Sequence, residues 1–282
     1  ADKHTEEERN NKKEGTYPME KLKLENLTLT YVDGNGSYTP FEKVNLSVAE
    51  GEFVCIIGSS GCGKSSLLSV IEGLNRAASG SVYIDGNKIT GPGNDRGVVF
   101  QHYSLFPWMD AVSNVVFAMK QSGVKGKKKE LKKRALYYLE KVGLADAAEK
   151  YPSQLSGGMQ QRVAIARVMA GNADLFLMDE PFGAIDPANR RELQQLIVKL
   201  AKEEHKTVLF VTHDIEEAII LADRIVFMAD KDIQSDIAVD IARPRTRENL
   251  IGNKDYLKIN QSVMNLFYKN IAGKIGNEEV VI

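Results

Sequence analysis

The sequence predicts an α/β protein in which a mixed sheet is joined by an N-terminal antiparallel β subdomain and an inserted α-helical subdomain. Two near-continuous apolar runs, at 174–178 and 207–212, are typical of parallel strands that are covered on both faces. Alternating or turn-bounded runs at 22–31 and 80–86 indicate antiparallel strands near the N-terminus. At about 103–160 the pattern becomes helical, so the helical part interrupts the α/β core.

The first elements follow from local patterns, beginning with a polar stretch at 1–20 that predicts a disordered tail. The alternation at 22–31 is interpreted as an edge strand, and 33–37 as a turn. An apolar strand at 53–57 then runs into a glycine-rich loop, and a helix follows at 67–71. This order of strand, loop and helix begins the α/β core.

The later elements alternate between strands and helices. Residues 98–100 predict a short buried strand, and an apolar stripe at 131–142 predicts a helix. The lysine run 125–129 ahead of that helix could bind an anionic surface, but a solvated helix entry is the simpler interpretation. After the last buried strand, Asp214 is expected to cap a helix, with Glu217 completing a capping box.

The segment 246–282 predicts an amphipathic helix. Its apolar residues recur at helical spacing: Tyr256, Ile259, Val263, Leu266 and Phe267. We expect this helix to pack on the core, and a surface for docking a partner is the alternative.

Composition excludes several functional classes. The 282 residues carry a net charge of −1, so no global basic field points to nucleic acid as a partner. No apolar run approaches the ~20 residues of a membrane span, and the charged residues 1–10 lack the apolar core of a signal peptide. The two cysteines do not make a disulfide framework; Cys55 is expected to be buried. These features favour a cytoplasmic location.

A phosphate-binding loop is predicted where the strand at 53–57 ends. It fits the pattern G-x-x-x-x-G-K-[ST], in which backbone N–H groups wrap an anion and the next helix adds its positive end. Lys64 is expected to reach the β- and γ-phosphates of ATP, and the Ser65 hydroxyl to ligate Mg²⁺. An ordinary glycine-rich turn would not require the correct strand and helix on either side, so we predict a P-loop NTPase core. The expected nucleotide-binding residues are Gly58, Ser59, Ser60, Gly61, Cys62, Gly63, Lys64, Ser65 and Ser66.

Two adjacent acids end the apolar run 174–178. In a P-loop protein an acid at such a strand tip holds the Mg²⁺ shell, which assigns Asp179 to the metal. Glu180 can then polarise the water that attacks the γ-phosphate. A pair of solvated acids is the alternative, but their position after a buried strand favours the catalytic interpretation. His213, at the tip of another buried strand, is a candidate for contacting the γ-phosphate.

A second anion site is predicted at 155–162. Ser156 can cap a helix, and Gly157 and Gly158 expose backbone N–H groups at its positive end. A capped helix with a flexible entry would explain the serine but not the paired glycines. Two phosphate sites that lie far apart on one chain can share a nucleotide only in a head-to-tail dimer.

In order and spacing these motifs resemble the nucleotide-binding subunits of ATP-binding cassette (ABC) transporters, over residues 22–245. The residues that carry the resemblance are Tyr31, 58–65, Gln101, 155–160, 177–180, 183–186 and His213. The resemblance implies that Tyr31 stacks on adenine. It also implies that Gln101 belongs to the catalytic site as a metal ligand and links it to the transporter interface.

For the remaining motifs, the resemblance implies contacts between two copies of the chain. The segment from Ser156 to Gln160 would close over the ATP of the partner, and Asp186 would communicate across the dimer. The chain would then consist of a tail (1–20), an ABC ATPase domain (21–245) with its helical insertion at about 103–160, and a helical extension (246–282).

The same resemblance implies the partners of such an ATPase. They are a second copy in an ATP-sandwich dimer, integral-membrane permease subunits and, indirectly, a solute-binding protein, at the cytoplasmic face of the cell membrane. The segment 101–109 is similar to that of importers of nitrate, sulfonates, taurine and related small solutes, and 179–186 and 243–245 agree with it. The segment 229–235 departs from the Pro/Gly-rich turn of those importers.

Two other functions fit parts of the pattern. A soluble ABC ATPase outside transport usually carries a coiled-coil insertion or two cassettes in one chain, and neither is visible here. A nucleotide-binding regulatory module without turnover would not need Glu180 and His213. We therefore expect an ATPase subunit of an importer.

Overall fold

The computed structural model describes residues 19–34, 36–100, 104–183 and 185–278. Gln101 and most of the expected N-terminal tail lie outside these ranges. The strands and helices of the described residues are, in chain order, β1 (Glu20–Asp33), β2 (Gly36–Ala49), β3 (Phe53–Ile57), α1 (Lys64–Glu72), β4 (Ser79–Ile84), β5 (Asn87–Lys88), β6 (Arg96–Val99), α2 (Ala111–Gln121), α3 (Lys128–Lys141), α4 (Gly157–Met169), β7 (Leu175–Asp179), α5 (Pro187–Glu203), β8 (Thr207–Val211), α6 (Ile215–Leu221), β9 (Arg224–Ala229), β10 (Asp232–Ala238), α7 (Arg247–Leu250) and α8 (Lys254–Glu278).

A six-stranded mixed sheet forms the centre of the molecule, in the order β10-β9-β3-β8-β7-β6. Its strands run parallel except for β10, which pairs antiparallel with β9. The apolar runs that predicted parallel strands are β7 and β8, and both are almost completely buried. The predicted mixed α/β core is confirmed.

A second sheet of four antiparallel strands, in the order β2-β1-β4-β5, forms the predicted N-terminal β subdomain. The interpretation of 22–31 as an edge strand is wrong, because β1 pairs with β2 on one side and with β4 on the other. Alternation in one strand shows which side chains share a face, but it does not show how many neighbouring strands will pair with it.

The strand β3 connects the two halves of the core. Its side chains alternate, so that Phe53, Cys55 and Ile57 join the apolar cluster that packs against the helices. Val54 and Ile56 point to the opposite face and join the cluster shared with α1 and the antiparallel sheet. The loop that follows β3 is therefore anchored from both faces.

The helical part consists of α2, α3 and α4, which pack on one another. The helix α2 begins at Asp110, whose carboxylate accepts from the Ser113 N–H at 2.7 Å. No helix within the described ranges combines the length and the apolarity that a bilayer crossing requires.

The C-terminal helix α8 packs on the core, as the sequence predicted. Val263 is fully buried, and the ring of Phe267 meets that of Phe227 on β9 edge to face, with centroids 4.9 Å apart. The helix also contacts α6. Its inner face is therefore part of the protein core rather than a free surface.

Candidate functional site

The candidate site lies at the carboxyl edge of the six-stranded sheet, where β3, β8 and β7 are parallel neighbours. The phosphate loop follows β3, Asp179 ends β7, and Glu180 comes next; His213 lies just beyond β8. Because parallel strands end at the same edge, motifs that are far apart in the chain meet here.

The phosphate loop is packed closely against β9 and needs glycine at two positions. A Cβ on Gly58 would lie only 2.1 Å from the carbonyl oxygen of Met228. Gly63, the residue before α1, has a φ of +104°, a backbone conformation that other residues rarely adopt. The glycines therefore allow both the close approach to β9 and the turn into the helix.

Lys64 is almost fully buried, and its ammonium group lies within the loop. Nζ donates to the carbonyl oxygens of Gly58, at 2.9 Å, and Ser59, at 3.1 Å. A positive charge is thus held beside the N-terminus of α1. These two features together suit an anion such as a phosphate group.

Ser65 and Asp179 are joined by a hydrogen bond, in which the serine hydroxyl donates to a carboxylate oxygen at 3.2 Å. Burial raises the pKa of Asp179, and a bound cation would lower it again. A hydroxyl and a carboxylate are the hard oxygen donors that suit Mg²⁺ in phosphate sites. Among the described residues, no group of three His, Cys, Asp or Glu could hold a metal by itself. A metal here would therefore need further ligands from phosphate or water.

Glu180 and His213 face each other across the ends of β7 and β8. Nδ1 of His213 lies 3.1 Å from a carboxylate oxygen of Glu180. Glu180 has a φ of +43°, and its N–H donates to the carbonyl of Val211 at 3.0 Å. Backbone strain of this kind costs about 1–3 kcal/mol and often marks a functional site. The pair can orient a water molecule and accept its proton.

A buried network that the sequence did not reveal holds the segment before His213. The carboxylate of Glu217 accepts from the Thr212 hydroxyl at 2.6 Å and from Gln194 Nε2 at 2.9 Å. Desolvation raises the pKa of Glu217, and these two hydrogen bonds act in the opposite direction. The backbone that positions His213 is therefore tied to α5 and α6.

The predicted capping box at the start of α6 is only half correct. Asp214 does cap the helix, since its carboxylate accepts from the Glu217 N–H at 3.0 Å. The Glu217 side chain turns inward instead of reaching back, and the Asp214 N–H donates to the Thr212 hydroxyl. The buried amide of Gln194 attracts the Glu217 carboxylate away from the box position, and no local pattern shows such a partner.

The second anion segment begins α4. The Ser156 hydroxyl accepts from the Met159 N–H at 3.3 Å, as expected of an N-cap, and Gly157 and Gly158 form the first turn. Gln160 turns back to its own chain, where Nε2 donates to two backbone carbonyls at 3.1 and 3.2 Å. The surface offered at this positive helix end is therefore made mainly of backbone N–H groups and a hydroxyl.

Asp186 lies beside this segment and caps α5. Its carboxylate accepts from the backbone N–H of Asn189 and from the Asn189 side-chain amide, the latter at 2.6 Å. The hydrogen bond from the Asn189 side-chain amide lowers the pKa of Asp186. Asn189 also packs against Gly158, where a Cβ would lie 3.5 Å away. In the part of the chain that the structure describes, no hydrogen bond joins Ser156 or Asp186 to the phosphate loop.

Two tyrosines of the β1–β2 hairpin lie opposite each other near the loop. Tyr31 and Tyr38 are register partners. Tyr31 is 40% exposed, and its hydroxyl accepts from Asn75 Nδ2 at 3.2 Å. Tyr38, which the sequence analysis did not single out, donates to the carbonyl of Gly61 at 3.4 Å. The Tyr38 hydroxyl therefore contacts the loop, whereas the Tyr31 hydroxyl contacts Asn75, just beyond the C-terminal end of α1.

The two cysteines differ in environment. Cys55 is fully buried, as predicted, and desolvation raises the pKa of its thiol well above the usual value. Cys62 is partly exposed, and its sulfur lies 3.8 Å from the ammonium group of Lys64. Only Cys62 is therefore accessible at the site.

The sequence is similar to those of known proteins. The model of a family described as ABC transporter matches residues 41–183. The bicarbonate transport ATP-binding protein CmpD of Synechocystis sp. is 42% identical over 256 residues, which cover 89% of this chain and 90% of the relative. The nitrate import ATP-binding protein NrtD of Synechococcus elongatus is 43% identical over 246 residues, 86% of this chain and 90% of the relative.

The fold is also similar to a solved structure. The dimeric structure of a post-hydrolysis state of the ATP-binding cassette MJ0796, bound to ADP and Pi, matches with a TM-score of 0.71 at 38% identity. The match covers 78% of this chain and all of the matched chain.

Proposed function

The chain belongs to the ABC transporter family, and we propose that it hydrolyses ATP with the site described above, as a subunit of an importer for a small solute. Its family is one of ATP-binding ATPases that work as transport subunits. The observation that supports the catalytic assignment best is the 3.1 Å contact between Glu180 and His213, at neighbouring strand ends. We assign the ATPase domain to 21–245, with the helical insertion at about 103–160.

For nucleotide binding, we assign the phosphates to the loop from Gly58 to Ser66. Lys64 Nζ, now bonded to loop carbonyls, can turn to the β- and γ-phosphates while it stays within the loop. Tyr31 is the candidate for stacking on adenine, since its ring is partly exposed and its register partner Tyr38 contacts the loop at Gly61.

For the metal, we assign Mg²⁺ to Ser65 and Asp179, with Gln101 as the further candidate. The Ser65 hydroxyl and an Asp179 carboxylate oxygen already lie within hydrogen-bonding distance of each other. When bound, Mg²⁺ neutralises charge on the β- and γ-phosphates. The chain's own contribution is to hold hard oxygen donors at the end of β7 beside the loop.

For hydrolysis, we assign the general base to Glu180. Its carboxylate would accept a proton from the water that attacks the γ-phosphate. His213 would hold that carboxylate in place through Nδ1 and contact the γ-phosphate from the other side. Glu180 combines a strained backbone, with a φ of +43°, with a side chain that contacts His213.

The complete site needs two copies of the chain. Solved relatives of this fold are dimeric cassettes, and the chain forms such dimers with a second copy of itself. We propose that Ser156, Gly157, Gly158 and Gln160 of one copy close over ATP on the other. Asp186, which touches this segment through Asn189, would carry the signal between the two sites.

Transport requires membrane partners, and as a family member the chain works with permease subunits and, through them, a solute-binding protein. We propose that it lies at the cytoplasmic face of the membrane. The exposed Trp108 packs on Phe106, which also meets Phe117 edge to face. This apolar cluster borders a groove between the helical part and β6, and we assign it to the permease.

The solute is a small one, and the names of the relatives favour nitrate or bicarbonate over sulfonates or taurine. The ATPase does not touch the solute, so its own site does not select among them. The choice therefore rests on the relatives alone.

The test is reconstitution of the chain with its permease and binding protein in liposomes. We expect ATP-dependent uptake of labelled nitrate or bicarbonate, and no uptake with Lys64→Ala. ATP turnover without uptake of nitrate, bicarbonate, a sulfonate or taurine would favour a soluble ABC ATPase. Binding of ATP without turnover would favour a regulatory module.

A further inference from the structure

The C-terminal helix α8 reaches the phosphate loop through one side chain. Asn270 is only 8% exposed. It lies three residues after Phe267, which anchors the helix on Phe227 of β9. Its Oδ1 accepts from the Ser59 hydroxyl at 3.4 Å, across 211 positions of sequence. Its Nδ2 donates to a carboxylate oxygen of Asp230 at 3.0 Å.

The chemistry of these partners determines how the amide is oriented. A carboxylate only accepts hydrogen bonds, so the NH₂ group of Asn270 must face Asp230. The amide oxygen is then left for the hydroxyl of Ser59, which can donate. Both ends of the side chain are used, and the amide bridges the phosphate loop and the turn between β9 and β10.

The bridge acts on the part of the loop that also holds the lysine. Ser59 follows Gly58, which is pressed against the Met228 carbonyl at the end of β9, and its own carbonyl accepts from Lys64. The turn to which Asn270 ties it is itself constrained, since Asp230 and the next residue both have positive φ. The start of the loop thus contacts β9 through Gly58 and α8 through Ser59.

We propose that Asn270 is a positioning residue for ATP binding: through Ser59 it holds the phosphate loop in the shape that receives the nucleotide. The proposal rests on the proposed function of that loop. Loss of the bridge leaves the loop more conformations, and binding must then restrict them. Nucleotide affinity falls, while the hydrolytic groups Glu180 and His213 keep their geometry. The helical extension therefore sets the affinity of a site to which it contributes no ligand.

The first test compares Asn270→Ala with Asn265→Ala, an exposed residue on the same helix. The readouts are the Kd for Mg·ADP by calorimetry, kcat for ATP, and Tm. We expect Asn270→Ala to raise the Kd about fivefold, which corresponds to ~1 kcal/mol, with kcat within about twofold. Asn265→Ala should change neither. An unchanged Kd in Asn270→Ala, or an equal rise in both variants, overturns the proposal.

A second pair of variants separates the bridge from simple packing. Asn270→Asp puts a carboxylate against Asp230 and should weaken Mg·ADP binding at least as much as Asn270→Ala. Adding Asp230→Asn restores one donor and one acceptor, because the new amide can donate to the new carboxylate, which still accepts from Ser59. We expect the double variant to return to within about twofold of the original Kd.

Failure of that rescue, with Tm restored, would overturn the proposal, because the bridge would then be rebuilt without recovery of the affinity. The Kd for Mg·ADP is measurable without turnover. If the original chain does not hydrolyse ATP but the Asn270 variants change the Kd for Mg·ADP as expected, the catalytic assignment is contradicted. The role of Asn270 in nucleotide binding is then still supported.

Discussion

At the scale of single residues, Glu180 is the side chain whose chemistry can be removed without changing its shape. Glu180→Gln keeps the size and hydrogen-bonding reach toward His213, but it cannot accept a proton from water. We expect ATP binding to remain and kcat to fall by about 10²–10⁴-fold, the usual contribution of a general base. A steady-state ATPase assay with a binding isotherm measures both quantities.

Two further variants frame that result. Lys64→Ala should instead weaken ATP binding, because it removes the charged group that we assign to the phosphates. Glu149→Gln, at an exposed site, should leave both quantities unchanged. Turnover by Glu180→Gln at the original rate would remove Glu180 from the catalytic assignment.

The two cysteines allow the loop to be probed in the original chain. We expect Cys62 to react with iodoacetamide faster than Cys55, because Cys62 is accessible and lies beside the Lys64 ammonium group, whereas Cys55 is buried with a raised pKa. Mg·ATP should protect Cys62 by covering the loop. Timed alkylation read by mass spectrometry tests this, with Cys55 as the internal control. Equal labelling of Cys62 with and without Mg·ATP would contradict the placement of the phosphates.

At the scale of elements, α6 and β8 are held together by the buried carboxylate of Glu217. Its pKa is raised above the ordinary value of 4.5, chiefly by desolvation. The folded state therefore binds more protons than the unfolded state above about pH 4.5, and stability falls as the pH rises through the folded pKa. In Glu217→Gln this loss is absent, and a glutamine can still contact Thr212 and Gln194.

We expect the difference in Tm, Glu217→Gln minus the original chain, to become more positive from pH 4 to pH 8. Thermal unfolding at several pH values gives this slope, and Glu149→Gln should give a flat line. A slope of zero or of opposite sign would mean that the hydrogen bonds from Thr212 and Gln194 outweigh desolvation.

Two elements differ from what their local sequence predicts. The sequence predicts strand β1 at an edge, but β1 lies between β2 and β4; it also predicts Glu217 in a capping box, but the Glu217 side chain points into the core. In both cases the local pattern was correct, since β1 is a strand and Asp214 is a cap. What decided the outcome was a neighbour distant in sequence, namely β4 in the first case and Gln194 in the second.

At the scale of the whole molecule, one chain presents two half-sites that no hydrogen bond joins within its described residues. Dimerisation of Glu180→Gln should therefore depend on ATP, because in the proposed arrangement the nucleotide contacts the loop of one copy and Ser156 and its neighbours of the other. Light scattering should give a dimer with Mg·ATP and a monomer without it. Lys64→Ala added to Glu180→Gln should stay monomeric. A monomer at saturating Mg·ATP in the presence of the permease would contradict the sandwich arrangement.

The sequence by itself determined the mixed α/β core and the motifs at the strand tips. The sequence predicts the loop from Gly58 to Ser65 and three further site residues, namely Asp179, Glu180 and His213. Each of them lies at or just after the end of a buried strand in the sequence, and parallel strands bring such ends together at one edge of the sheet. Family membership followed from the order of these motifs and was confirmed by the relatives.

Only the tertiary structure decided which distant side chains support those motifs. Tyr38 and Gln194 reach the site through strand register and helix packing, and Asn270 reaches Ser59 across 211 positions of sequence. Each of these side chains is polar and ordinary in its local sequence, so periodicity and spacing give it no distinction. Its role depends on the position of a partner more than twenty residues away or on the register of a hairpin, and that position exists only once the core has packed.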